Sequence, residues 1–496
     1  MQEPTRRAAL GGLGGIGLAS AALFGAAVTG GAARAATTAT GATAGAARAG
    51  LNPAALNPAL DSATLDPATL DPAALDPAAL DPGGLDSANA LSPAPALDPA
   101  AAAAYGVDVR RQGATGDGIT DDSAAFSAAF AKASNASADG GNLVIVPPGT
   151  YRIATPLTAQ APIHLEGLAG EAGSVLKFDP GIANGLTIAP TAETYPGPAI
   201  EIHGLYFEYS GPGAALLIDE SAVRSVFHDT RVTGCRFHVG GNATGYASIN
   251  QRSIIVAHNQ FLGSGKSSGT GISVSDSDNT MITDNVFYDI EYCVHGIRGA
   301  TRVFNAGCMV LGNSMSGCQK CLFFENWEAI QAVGNMLDGA LANSVHLADC
   351  YNSMLTANYL GQSGTGPALL IETSSPRGGL GQMSFSGNFI NYYAGTSGTA
   401  AITLNGVSAA QPVDQVTISG NTINHYPAVG ILLRNAQNVL ITGNTLTRAS
   451  ATADGVQAVY DQTPGANHIT GNIVDAAITA RRDTVSGNFG RVPVPS

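Results

Sequence analysis

Glu325 and Glu328 flank Trp327, the only tryptophan of the chain, in the segment GCQKCLFFENWEA (317–329). Carboxyl groups are the usual tools for breaking an acetal. One protonates the departing oxygen while a second attacks the carbon or activates water. A tryptophan beside them offers an apolar face on which a sugar ring can stack. Two further acids, Asp349 and Glu372, follow in the next stretches of chain, and His295, Arg298 and His346 lie among them. Imidazole and guanidinium groups bind hydroxyls, and imidazole also shares in proton transfer. The candidate catalytic residues are therefore Glu325, Glu328, Asp349 and Glu372, and the candidate substrate-binding residues are Trp327, His295, Arg298 and His346. These residues fall in groups spread over tens of positions, so the fold must gather them.

The chain does repeat. From about residue 230 a β-like pair, then Gly, Ala or His before Asn, then an apolar residue recurs, as in VLGNSM, AVGNML and ISGNTI, with Asn at 259, 285, 313, 335, 358, 388, 421, 444 and 472. The spacings of 22–33 residues describe one coil with loops of variable length. Gly-Asn suits a turn that visits the left-handed region. Each coil carries a second alternating strand before that turn, such as LFFE (322–325), VHLA (345–348) and LLIE (369–372). The pattern predicts an all-β protein, a single-stranded parallel β-helix, with strands stacked about 4.8 Å apart. A short amphipathic helix over SAAFSAAFAKA, with Asp121 or Asp122 at its start, is expected to cap the first coil. Aligning the coils places Phe323 and Glu325, His346 with Asp349, and Glu372 outward on one face, with His295 and Arg298 just before them. Glu325 and Asp349 would then be one coil apart, and Glu325 and Glu372 two coils, roughly 10 Å. Glu328 opens the next strand.

Only 12% of the 496 residues are charged, 62 are glycine, and the formal net charge is −14. Such a composition is not that of a helical protein, and its acidity disfavours nucleic acid and anionic membranes. Thr5-Arg6-Arg7-Ala8-Ala9-Leu10 precedes a Gly/Ala-rich run that ends at Ala33-Arg34-Ala35. This is the pattern of a twin-arginine signal peptide, expected over residues 1–35, and it predicts a secreted protein. Residues 36–104 are built of units such as LDPAA. Their prolines block ladders and one leucine per unit cannot form a core, so a disordered linker is expected. The folded domain is expected over 105–496. The six cysteines are expected to be structural, because Cys318-Gln319-Lys320-Cys321 has no second CxxC or HxxxH to complete a zinc set.

Gly113–Asp122 (GATGDGITDD) followed by VIVPPGTY (144–151) resembles the opening signature of the pectate-lyase-like superfamily, the rhamnogalacturonase/epimerase-type β-helix proteins. The resemblance implies a right-handed coil and action on a polysaccharide. It does not name the reaction, since the family contains lyases, hydrolases, epimerases and phage spikes. The GHG and RxK motifs of polygalacturonase-like hydrolases and the DPH motif of alginate epimerases are absent. Asp276 and Asp278 are the candidates for a calcium site, and no other cofactor is implied. Glu325-Asn326-Trp327-Glu328-Ala329…Gly334-Asn335 is similar to the ENxEG…GN segment of the inulin fructotransferases, and IEYCVHGIRGA (290–300) resembles a stretch upstream of it. That family places an acidic residue just before the motif, where this chain has Gln319-Lys320. The likeness implies that Glu325 or Glu328 assists attack by a fructosyl hydroxyl, and it implies a homotrimer. The expected function is a secreted enzyme that cleaves glycosidic bonds in a polysaccharide, by lyase, fructotransferase-like or hydrolase chemistry. Its rival is a non-catalytic glycan-binding or cell-envelope protein using the same face.

Overall fold

The computed structural model describes residues 106–490 apart from 136–141, 171–172, 192–198, 224–227, 301–304, 375–380, 394–397, 450–455, 464–465 and 481–482. The expected signal peptide and linker lie outside the described residues. Each coil adds one strand to each of three sheets, of sixteen, fifteen and thirteen strands, here called the first, second and third faces. Neighbours in a face come from successive coils and pair in parallel, as in Thr280↔Cys308 on the first, Phe261↔Phe287 on the second and His295↔Phe323 on the third. This is the expected parallel β-helix.

Alternation explains the core. Inward positions of each strand carry Val, Ile, Leu and Phe and are buried. On the second face the stacked register lines up Phe207, Phe237, Phe261 and Phe287, whose ring centroids are 4.8 Å apart. That separation is the strand spacing itself, so the ladder aligns the rings. Between the first and second faces the repeated Asn forms a continuous column. Asn313, for example, donates from its backbone N–H and from Nδ2 to Asn335 Oδ1, both at 3.0 Å, and from Nδ2 to the Ile282 carbonyl at 2.9 Å. Asn335 repeats this toward Asn358 and Val310. Each amide thus satisfies turn groups that would otherwise be buried without partners.

The corner between the third and first faces uses a different device. Asn250, Asp276, Asn326, Asp349 and Asn435 follow third-face strands at equivalent places and have φ between 46° and 62°. Asn and Asp tolerate this left-handed conformation better than most side chains.

At the N-terminal end the helix α1 (Ser123–Asn135) lies against the first coils. Phe126, Phe130, Ala125, Ala129 and Ala133 are buried on its inner side, and Phe126 meets Tyr151 edge-on at 5.4 Å. Asp121 Oδ1 accepts the Ser123 N–H at 3.0 Å, while the buried Asp122 carboxylate accepts the N–H groups of Thr115 and Gly116. Both acids therefore serve the cap.

Candidate active site

The site is on the outer surface of the third face, where three consecutive strands run over Tyr292–Gly296, Lys320–Glu325 and Asn343–Ala348, followed by Leu369–Glu372. Register creates two outward rows. One holds His295, Phe323, His346 and Leu370. The other holds Glu325, Ala348 and Glu372. Tyr292 and Lys320 pair three residues earlier on their strands.

The first row is a ring stack. Tyr292 and His295 have centroids 5.1 Å apart, His295 and Phe323 4.7 Å, and Phe323 and His346 4.6 Å. Each histidine leans across to a carboxylate of the second row. His295 Nε2 is 3.1 Å from Glu325 Oε2, and His346 Nε2 is 2.8 Å from Glu372 Oε1. Lys320 Nζ is 2.8 Å from His346 Nδ1 and 3.8 Å above the Phe323 ring. With Lys320 donating to Nδ1, the His346 ring carries its proton on Nε2 and donates it to Glu372.

These bonds set the charges. The hydrogen bond from His295 holds Glu325 below the usual glutamate range, and that from His346 does the same for Glu372, in both cases against the effect of burial. Both carboxylates are therefore ionised at neutral pH. Burial lowers the Lys320 ammonium from its ordinary value, although Glu372, Glu325 and Glu291 oppose the shift. Glu325 is 39% exposed and Glu372 33%, whereas His346 is only 8% exposed, so the carboxylates are open to a ligand and the histidine is held beneath them. Ala348 separates the two acids by a methyl group alone. The two Glu strands are two rungs apart, roughly 10 Å.

The remaining expected residues lie elsewhere. Trp327, read above as a stacking surface for sugar, is fully buried at the third-to-first corner, where it packs edge-on against Phe324 with centroids 5.5 Å apart. It follows the left-handed Asn326, and the turn points its ring into the core. Asp349 is also not on the outward row. It is the left-handed corner residue of its coil, 4% exposed, and its carboxylate accepts the Ser374 N–H at 2.7 Å and the Ser374 hydroxyl at 2.5 Å. Glu328 has turned onto the first face, where it accepts hydrogen bonds from the Tyr351 hydroxyl and Asn352 Nδ2. Arg298 is exposed, just past the third-face strand that carries His295. Asp276 accepts the Ala300 N–H at 3.0 Å, and Asp278 pairs with Arg252 at 3.5 Å, so the two carboxylates proposed for calcium are engaged in separate contacts. Among the described residues no group of three or more His, Cys, Asp or Glu side chains is arranged to hold a metal ion.

Sequence reasoning missed Lys320 and Tyr292. It expected the cysteines to be structural and left their pairing open. All six are buried and none is joined in a disulfide, with Cys318 Sγ 2.8 Å from Cys321 Sγ beneath the Lys320 strand. The surface as built offers two fixed negative oxygens, two oriented imidazoles and one amine above a shallow notch.

Residues 106–335 match the family model described as rhamnogalacturonase A/epimerase, pectate lyase-like, and residues 291–489 match that of the periplasmic copper-binding protein NosD. No curated protein matches the chain in sequence. Among solved structures, the A-module of the mannuronan C-5 epimerase AlgE6 of Azotobacter vinelandii is similar at 19% identity and a TM-score of 0.47, over 79% of this chain and all of that one. DFA-IIIase of Arthrobacter chlorophenolicus A6 is similar at 14% identity and a TM-score of 0.47, over 77% and 98%. The surface adhesin PfbA of Streptococcus pneumoniae is similar at 14% identity and a TM-score of 0.42, over 72% and 94%. Residues 106–335 are therefore a pectate-lyase-like β-helix of the rhamnogalacturonase A/epimerase kind.

Proposed function

We propose that the third face cleaves glycosidic bonds of a neutral polysaccharide outside the cytoplasm. The observation that supports this best is the row Glu325, Ala348, Glu372, in which two ionised carboxylates stand on either side of a notch one coil wide. One carboxylate takes the proton of an attacking hydroxyl, from water or from the sugar itself, while the other stabilises positive charge at the anomeric carbon. Two rungs of strand separation, roughly 10 Å, suits a pair that leaves room for an attacking oxygen better than the ~5 Å carboxyl spacing of double displacement. Three glutamates and one lysine surround the notch, so a uronate would meet net repulsion, and a neutral sugar suits the site better.

The test is a panel of inulin, β-glucan, α-1,3-glucan and polygalacturonate, with product masses read out. Gain of water marks a hydrolase, an anhydro product a transferase acting within its substrate, and an unsaturated end a lyase. We expect cleavage of a neutral glycan, and a loss on the order of 10²–10⁴ in kcat/KM for Glu325→Gln. A wild-type protein that binds glycan but releases no product from any of them would instead favour the rival reading, a non-catalytic glycan-binding protein.

A further inference from the structure

We infer that Lys320 supplies the proton to the departing glycosidic oxygen, in place of the carboxylic acid that such cleavage ordinarily uses. This inference rests on the reading of the third face as a site of glycosidic cleavage. A sugar alkoxide is a poor leaving group, so the reaction needs a donor within reach of that oxygen. Neither glutamate fills the role, because each is already the acceptor of an imidazole hydrogen bond, at 3.1 Å for Glu325 and 2.8 Å for Glu372.

His346 is committed at both ring nitrogens, to Glu372 and to Lys320. His295 packs against the Tyr292 and Phe323 rings with Nε2 on Glu325. Lys320 remains. It stands on the same outward surface, half-buried, with its nitrogen over Phe323. An ammonium has three N–H bonds, and His346 accepts one.

An ordinary lysine holds its proton too tightly to act as an acid near neutral pH. Here burial weakens that hold, while the facing charges of Glu291, Glu325 and Glu372 keep the ammonium populated. The other groups against it are Tyr292 on the preceding coil, Phe323 on its own strand and His346 on the next. In the step itself an N–H bond of Lys320 breaks and an O–H bond forms on the leaving oxygen. The carbon–oxygen bond breaks with its electron pair on that oxygen. The attacking hydroxyl passes its proton to a carboxylate as the new carbon–oxygen bond forms. Lys320 is left as the free amine and a glutamate as the acid, and exchange with solvent restores both.

Two measurements test this. The chain has four lysines, Lys132, Lys177, Lys266 and Lys320. Protein labelled with ¹³C at lysine Cε therefore gives four resonances, and Lys320→Arg assigns the one of interest. Lys320 is expected to titrate below the ordinary lysine value. Separately, Lys320→Met and wild type are compared on a cleaved oligosaccharide and on the glycosyl fluoride of the same sugar, whose leaving group needs no proton. The expected result is a loss on the order of 10²–10⁴ on the oligosaccharide and less than about tenfold on the fluoride. A Lys320 resonance that titrates at the ordinary lysine value, or equal losses on both substrates, would overturn the assignment and leave the role of the carboxylates standing. If wild type cleaves neither substrate while Lys320 titrates low, it is the reading of the face as a cleavage site that fails, and the assignment falls with it.

Discussion

Replacing Asn335 with alanine is expected to destabilise the coils that carry the site by about 3–7 kcal/mol, although the residue is on the far corner from it. Asn335 Oδ1 accepts from the Asn313 backbone N–H and from Asn313 Nδ2, both at 3.0 Å, and its own Nδ2 donates to the Val310 carbonyl at 2.8 Å and to Asn358 Oδ1 at 2.9 Å. Alanine removes all four bonds. The Asn313 N–H, buried and left without an acceptor, costs about 1–3 kcal/mol, and each of the other three bonds about 0.5–1.5 kcal/mol. A single domain is stable by only about 5–15 kcal/mol. The defect should stay local, since each coil of a solenoid touches mainly its neighbours. The assay is hydrogen exchange across residues 305–340, supported by guanidinium unfolding. Fast exchange confined to those coils is the expected result. A loss below about 1 kcal/mol, with exchange unchanged, would refute the idea that the amide column maintains coil register.

Two further outcomes follow from packing and charge. Gly296 lies on the third face next to Trp327, and a Cβ there would meet Phe324 Cδ1 at 2.3 Å and Trp327 Nε1 at 2.7 Å. Gly296→Ala should cost about 1–3 kcal/mol and shift the tryptophan emission, which in wild type should be blue-shifted and insensitive to iodide; a neutral substitution would contradict the packing. Near the C-terminus, burial and a hydrogen bond with Asp461 push Asp483 up to about 7. A carboxyl raised in the folded state stabilises it fully below the unfolded value near 4, and that contribution is lost as pH rises through about 7. Amides of residues 468–474 should therefore exchange faster at pH 8 than at pH 5 after correction for intrinsic rates, and equal protection would refute it.

Much of this arrangement was legible in the sequence, and the failures share one physical cause. The Asn column announced the coil period because its side chain serves a turn that recurs in every coil, and the rows of His295, Phe323 and His346 and of Glu325 and Glu372 followed from alternation within short strands. Alternation stops at the strand ends. Asp349 and Trp327 lie at or just beyond the left-handed corner, where the chain no longer alternates in and out. The equivalent placing of Asn250, Asp276, Asn326 and Asn435 was the available signal that Asp349 is a turn residue. Lys320 was missed for the converse reason. Cys321 and Leu322 are consecutive and both buried as the chain bends into the third face, so counting back in twos from Glu325 gives Lys320 the wrong side. The partners that depress the two glutamates were individually visible. Their diagonal pairing across coils depends on side-chain lean, which spacing does not report.

The most direct measurement is a double-mutant cycle on kcat/KM with Glu325→Gln, Glu372→Gln and the pair combined, on whichever glycan the wild type cleaves. Residues that act as one unit lose little more together than the worse of them loses alone. Two carboxylates facing each other across Ala348 should behave in that way. Losses that multiply, as for independent residues, would mean that Glu325 and Glu372 do not form a single site.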